Sequence, residues 1–323
     1  MFSVGLNPAL IYNFKWLHDK ISQLIKENQT GMDGLWWNLG LVCSFFCAVI
    51  GTLGNCLTFS IFIFFKEFRD SIGLLIMGLT ISDLLTSLVV VPLNATFFIA
   101  KGKWWLGKVA CYIDKFLSYG SPSLAIILMS FIAINRWVKM TKPKETYKKL
   151  FSKRSAKILL AISPFIAFFP ITLAFFDVTA SLKYNDGGVC SVVTLTHSSI
   201  LTFCIFGTNA VVIIFCYVSI YFKVRRHDST MAPSFHTSMR FLKMVMATAM
   251  SFFICFTPVT IFVIISGGYK DNVQFPAVKH FLHQYPYYFS VILNPVIYGV
   301  MNRRYREAYL AVLRKTFPCF SSN

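Results

Sequence analysis

Acidic residues are scarce in this sequence. Asp and Glu number 13 in 323 residues, and all charged types together reach only 14%, against about 25% in a soluble domain. A single soluble core stops growing near about 250–300 residues and needs a largely polar shell. This composition cannot supply one. Low hydrophobicity, the condition for disorder, is absent too: 56% of the residues are hydrophobic and 34 are Phe. Catalytic signatures are also missing. There is no HExxH, no phosphate loop and no nucleophile–base pair, so an enzyme finds no support. No close group of Cys or His has metal-ligand spacing. The first 36 residues show no basic stretch followed by an apolar run, so no cleavable signal peptide is expected.

What the sequence does contain is long apolar runs. A membrane-spanning helix needs about 20 mostly apolar residues. Seven stretches qualify: 37–65, 72–98, 111–138, 156–176, 198–222, 241–266 and 277–301. The third and seventh are the least uniform, because polar residues interrupt them. In hydrocarbon the backbone must satisfy its own hydrogen bonds, so these runs are helices. The alternating pattern of a membrane β-barrel is missing. The fold class expected is an all-α membrane protein, a seven-transmembrane helix bundle.

The basic residues orient it. Segments 66–71, 139–155, 223–240 and 302–323, with Arg136, Lys157 and Lys243, hold roughly two thirds of the 31 Lys and Arg and alternate with the poorer side. Basic loops stay cytoplasmic, so the N-terminus is expected outside and the C-terminus inside. The net charge of +18 then faces anionic membrane lipids, not nucleic acid. In the outer segment, Trp16, Leu17, Ile21, Leu24 and Ile25 share one helical face. They suggest a short helix lying on the membrane, or a lid over a ligand. Asn28-Gln29-Thr30 is a glycosylation sequon on the outer side. Asn94-Ala95-Thr96 is another, at a helix end too near the membrane for modification.

Six of the nine Cys lie inside apolar runs, where Cys acts as a small hydrophobe. Cys111 and Cys190 fall on the oxidising side, so a disulfide between them is the economical reading. Cys319 follows the last helix on the basic side, as a palmitoylation site or as an unmodified thiol.

In order and with correct spacing, a set of residues resembles the rhodopsin-like (class A) G-protein-coupled receptors over about 37–316. They are Gly54-Asn55, Leu79-Thr80-Ile81-Ser82-Asp83, Trp105-Leu106-Gly107 with Cys111, Arg136, Phe252 before Cys255-Phe256-Thr257-Pro258, Asn294-Pro295-Val296-Ile297-Tyr298, and Tyr305. Ile134-Asn135-Arg136 and Asn302–Tyr309 look nearest to melatonin-receptor-like and opsin-like branches. Departures are equally specific. Asn135-Arg136-Trp137 replaces Asp-Arg-Tyr, Phe256 replaces the toggle tryptophan, the fourth span lacks its Trp, and Asn209 stands where the fifth span usually has proline.

The resemblance implies a domain plan: 1–36 extracellular, 37–301 the bundle, 302–316 an amphipathic membrane-surface helix, and 317–323 a cytoplasmic tail. It implies an activation switch of Asn55, Asp83, Asn135, Arg136, Tyr217, Phe252, Phe256, Pro258, Asn294, Pro295 and Tyr298. Asp83, with Asn55, Ser290 and Asn294 as expected neighbours, is a weak sodium site or a proton site; Ala125 withholds one oxygen. No other cofactor is implied. Arg136 lacks the adjacent aspartate that restrains it elsewhere in the family, so appreciable basal activity is expected. Pro258 and Pro295 kink their helices and let them swing.

The implied ligand pocket is Ser118, Tyr119, Pro122, Phe256, Thr260, Gln284 and Tyr288. Ser118 stands where amine receptors place an aspartate, and Tyr288 where opsins place the retinal lysine. Asp114 and Lys115 are expected nearer the mouth, where they neutralise each other or meet a peptide. His197, His280 and His283 lie at the rim. The ligand is expected to be small and neutral, with a peptide second, and the partner a heterotrimeric G protein at the plasma membrane. The rivals are a non-covalent sensory receptor and, from another class, a transporter or channel, although no inverted repeat is visible.

Overall fold

The computed structural model describes residues 8–176, 180–185, 189–194, 196–226, 233–265 and 276–316. Side chains are described for 34–173, 204–225, 239–257 and 284–316, and for Phe176, Cys190, Val278, His280, Phe281 and Leu282. The helices are α1 (Pro8–Phe64), α2 (Ser71–Leu85), α3 (Val91–Ile99), α4 (Gly107–Thr141), α5 (Lys144–Leu150) and α6 (Lys153–Phe175), then α7 (Thr196–Arg226), α8 (Pro233–Ile265), α9 (Pro276–Met301) and α10 (Arg303–Thr316). One π turn, Thr86–Val90, joins α2 to α3, so the pair forms a single bent span. Among the described residues, six helical stretches are long and apolar enough to cross a membrane. The seventh, α9, carries the polar interruptions noted in the sequence. Residues 16–25, expected on a short surface helix or a lid, belong to the N-terminal part of α1, whose helix continues into the first span.

Local chemistry sets the boundaries. Asp70 caps α2 by accepting a hydrogen bond from the Gly73 amide at 2.8 Å, one of the orphan donors of a helix start. Arg69 donates to the Phe62 and Ile63 carbonyls at 2.5 and 2.7 Å, which covers acceptors at the end of α1. Ser152 caps α6 through the Ser155 amide at 3.1 Å.

The bundle is inverted relative to a soluble protein. Phe165, Phe169, Val211, Ile214 and Phe215 point outward, while Asn55, Asp83, Asn94, Asp114, Asn135, Arg136 and Asn294 are buried. That distribution suits lipid outside and packed polar groups inside. The central helix is α4, which packs on α2, α6 and α7; α1 and α8 pack on α9. Gly120 of α4 lies under the Phe168 ring and Gly78 of α2 under Leu160. A Cβ at either position would collide, so small residues set these close approaches.

One element was not expected from the sequence. The connection between α6 and α7, expected on the outer side, forms an antiparallel hairpin, β1 (Ala180–Asn185) and β2 (Val189–Thr194), with Tyr184 opposite Cys190. Cys190 is bonded to Cys111 at the start of α4, with their Cα atoms 5.9 Å apart. At the opposite end, α10 buries Tyr305, Ala308, Tyr309 and Val312 and exposes its basic side chains. The Tyr309 hydroxyl pairs with Thr58 at 2.7 Å and donates to the Pro295 carbonyl at 3.3 Å, tying α10 to α1 and α9. Burial raises the phenol pKa of both Tyr305 and Tyr309, so both stay neutral.

Candidate functional site

The outer site is built on α3, α4 and α9. Ser118 is buried, and its hydroxyl donates to Asp114 Oδ1 at 3.3 Å. This follows from helical spacing, since residues four apart share a face. Asn94 Nδ2 reaches the same oxygen at 2.5 Å, Ser118 Oγ at 3.5 Å and its own-helix Val90 carbonyl at 3.1 Å. Lys115 Nζ lies 2.8 Å from Asp114 Oδ2. Asp114 lies one turn nearer the disulfide end of α4 than Ser118, as expected, and is paired with Lys115. It is fully buried and bonded to Ser118, which corrects the expectation of a lining without charge. Asn94, the second sequon, is buried beside it and out of reach of modification.

Across from these groups, the Tyr288 hydroxyl donates to Gln284 Oε1 at 3.4 Å. The Tyr285 hydroxyl donates to the Gly40 carbonyl at 2.8 Å and also pairs with Ser44. Tyr119 behaves differently from the expectation, packing with Phe116, Phe168 and Ile171 between α4 and α6. Pro122 is buried within α4. His280 stacks on Phe97 at 4.0 Å. The side chains of Thr260, His197 and His283 lie outside the described residues. Among the described residues, no group of three His, Cys, Asp or Glu could hold a metal ion.

The middle layer centres on Asp83, which is buried and accepts a hydrogen bond from Asn294 Nδ2 at 2.8 Å. The other two expected neighbours turn to backbone: Asn55 Nδ2 donates to the Gly51 and Val291 carbonyls at 2.9 and 3.2 Å. Ser290 Oγ donates to the Tyr287 carbonyl at 2.7 Å. Asn294 Oδ1, Asn55 Oδ1 and Ser121 Oγ are buried and make no hydrogen bond. Orphaned buried oxygens of this kind call for an explanation. Each is a hard oxygen of the kind a sodium ion takes, as is the Asp83 carboxylate; Ala125 adds none.

Aromatic rings connect this layer to the outer site. The Tyr287 hydroxyl pairs with Thr86 at 3.1 Å, while its ring meets Phe256 edge-on at 5.6 Å. Phe256 stacks on Phe252 at 4.4 Å, and Phe206 of α7 packs on both. Where proline was expected, Asn209 accepts a hydrogen bond from Ser130 at 2.6 Å and donates to its own-helix Ile205 carbonyl at 2.8 Å. The fifth span is thereby pinned to α4, within one continuous helix.

At the inner end Arg136 is buried, 4% exposed. Its guanidinium sits 4.1 Å over the Phe241 ring. Among the described residues the ion pairs are Lys115–Asp114 and Arg303–Glu307; none involves Arg136. Arg136 Nε and both polar atoms of Asn135 are buried without hydrogen bonds. Arg136 lines a cavity of about 380 Å³ together with Asp70, Lys139, Arg240, Phe241, Arg303, Arg304 and Tyr305, among others. Tyr298 is buried nearby and Tyr217 half-buried. Of the remaining switch residues, Pro295 lies within α9; Pro258 lies in α8 with its side chain outside the described residues. Cys319 and the Asn28 side chain also fall outside them.

The roles of Ser130, Tyr287 and Phe241 carry no signal in the sequence; Asn94 and Asp114 stood out there, as a sequon and as a charge near the mouth, but not as partners of each other.

Comparison with known proteins places this architecture. Residues 54–298 match the model of the family described as 7 transmembrane receptor (rhodopsin family). The G-protein coupled receptor moody of Drosophila melanogaster is 23% identical, over 88% of this chain and 52% of that protein; the chain spans about half that relative's length. Melatonin receptor type 1B-B of Danio rerio is 26% identical, over 86% of this chain and 82% of that protein. The crystal structure of squid rhodopsin superposes with a TM-score of 0.72 at 24% identity, covering 88% of this chain and 86% of that one, a likeness of fold.

Proposed function

The chain belongs to the rhodopsin family of seven-transmembrane receptors, the class A G-protein-coupled receptors, and we propose that it takes a small extracellular ligand between α3, α4 and α9 and activates a heterotrimeric G protein at its inner end. The observation that carries this reading is the inner cavity around Arg136. Five cationic side chains border it, against Asp70 and Glu307. Such a field suits the carboxylates and carbonyls of an inserted partner segment. The N-terminus is placed outside and the C-terminus inside, at the plasma membrane.

The layers suggest how the ends communicate. A ligand beside Ser118 and Tyr288 would press on Tyr287 and Phe256, next to Tyr288 and stacked on Phe252 respectively. Repacking of Phe252 loosens α8 from α4. The inner end of α8 then swings out, carrying Phe241 off Arg136 and widening the cavity. The two sites are then linked by a coupling free energy, as a two-state switch requires. Asp83, Ser121 and Asn294 would hold sodium in the middle layer and favour the state that keeps them together. Tyr288 offers no amine for a Schiff base, which argues against covalent retinal.

The deciding experiment is nucleotide exchange on a panel of purified G proteins by the full chain in lipid nanodiscs, with and without a ligand library. Receptor-dependent exchange on at least one G protein is expected. No exchange on any, together with ion flux in liposomes, would turn the reading to a channel or transporter.

A further inference from the structure

We propose that the buried Asp114–Lys115 pair is the recognition element for a zwitterionic ligand, one small molecule carrying both an ammonium and a carboxylate. The proposal deepens the receptor reading above and rests on it for the location of the ligand site.

The pair is unusual for its surroundings. Its side chains are 0% and 12% exposed, and the two charges are 2.8 Å apart. Removing two charges from water is costly, and apolar residues in their place are often as stable or more so. An ionisable group inside a membrane bundle is therefore read first as functional. The pair also lies where a ligand would enter. Cys111, one turn outward on α4, anchors the β1–β2 hairpin at this end through its disulfide. Ser118 and Asn94 lie inward of it, and Tyr288 is within electrostatic reach of Asp114.

The two carboxylate oxygens are used unequally. Oδ1 accepts from both Asn94 and Ser118, which fix its direction. Oδ2 faces the Lys115 ammonium and makes no well-aligned hydrogen bond. A carboxylate oxygen can accept about two hydrogen bonds, so Oδ2 retains capacity. Lys115 has three donors on a flexible stem. The carboxylate is thus held in place, while its counter-ion can exchange.

Charge balance then selects the ligand class. A neutral molecule leaves the pair closed. A lone amine displaces Lys115 and strands its ammonium in a nearly dry position. A lone acid strands Asp114 in the same way. A zwitterion places its ammonium on Asp114 Oδ2 and its carboxylate on Lys115 Nζ, turning one ion pair into two with no charge left unpaired. In a water-poor site under the hairpin, each pair is stronger than it would be in bulk water.

The test uses the full chain in lipid nanodiscs and a ladder of unbranched ω-amino acids from glycine to 6-aminohexanoate, with the matching alkylamines and alkyl carboxylates. At least one zwitterion should raise the unfolding temperature by about 2–4 °C at saturation, and its single-charge counterparts should not. Lys115→Gln should exchange that preference for the matching amine, and Asp114→Asn for the matching carboxylate. The double variant D114N/K115Q leaves no charge unpaired; it should elute as a monodisperse peak and lose the response to all three classes. The proposal is overturned if no zwitterion shifts the wild type, if the amine alone does so, or if the shift persists in the double variant. Nucleotide exchange on the same samples separates the two readings. A zwitterion shift with no exchange on any G protein sinks the signalling assignment alone. Exchange driven by a neutral ligand, with no zwitterion response, sinks the site alone.

Discussion

Replacing Phe241 by Ala should raise ligand-independent signalling. Arg136 is 4% exposed, and its guanidinium lies 4.1 Å over the Phe241 ring. No described carboxylate pairs with it. A desolvated cation–π contact is worth about 2 kcal/mol. Each ~1.4 kcal/mol is a factor of ten, so losing the contact would shift the inactive-to-active equilibrium by roughly 30-fold. A minor state populated at about 1% would then approach a quarter of the molecules. The contact supplies a restraint where Asn135 supplies none, so wild-type basal activity should be measurable but well below that of the variant.

The assay is GTP-analogue exchange on purified G protein without ligand, at matched receptor amounts. Phe241→Leu separates two contributions. It keeps apolar bulk but lacks a ring face, so it should rise nearly as far as Phe241→Ala. Phe241→Trp, with the strongest ring face for a cation, should stay at or below wild type. If Phe241→Ala remains within twofold of wild type, the contact does not hold the inactive state. If Phe241→Leu matches wild type, the restraint is packing, and the reasoning from the ring quadrupole is refuted.

Three further outcomes are expected. Asp83→Asn should abolish any effect of replacing sodium by choline on basal exchange; an unchanged sodium response would remove Asp83 from the cation site. Cys111→Ser should lower thermal stability and surface expression. The two Cys are 79 positions apart, for which the loop-entropy relation gives about 4.5 kcal/mol as an upper value, and equal melting of variant and wild type under non-reducing conditions would contradict it. Asn209→Ala should cost about 1–2 kcal/mol in unfolding free energy by removing the acceptor of the 2.6 Å bond from Ser130, and Asn209→Pro should free the fifth span from α4 and alter signalling more than stability. Wild-type melting in both would show that the hydrogen bond is immaterial.

What the sequence made legible was whatever period and composition control. Apolar runs longer than a bilayer located the spans, and the basic loops proposed an orientation, because these are sums over many residues. The Cys111–Cys190 bond was legible because only two outer thiols were available. The interruptions in α9 were legible too, as polar residues within a hydrophobic run. Partners across the bundle were not. Asn55 was expected beside Asp83, but its amide satisfies the Gly51 and Val291 carbonyls. Nothing in the local sequence says which of several acceptors a buried amide will take. The β1–β2 hairpin was missed because its strands are short and lie in a loop, where the disulfide and pairing across the turn decide the structure more than side-chain pattern does.

The burial of Asp114 shows what kind of information a linear pattern lacks. At the edge of a span, the acid and the lysine after it were expected to neutralise each other or to meet a peptide, and the 2.8 Å pair agrees with the first; its depth of burial was not legible. The structure turns α4 so that position 114 faces α3. There Asn94 and Ser118 already offer donors to one carboxylate oxygen. Burial follows from that rotation, and so does the direction in which Lys115 must fold to reach its partner. Seen from the sequence, Ser118 argued against an amine ligand because it stands in for a carboxylate. Seen in three dimensions, the carboxylate is present one turn outward, oriented by that serine and closed by a built-in ammonium. Those two charges disfavour an amine or an acid alone, since either would leave one of them unpaired. They favour a molecule that brings both.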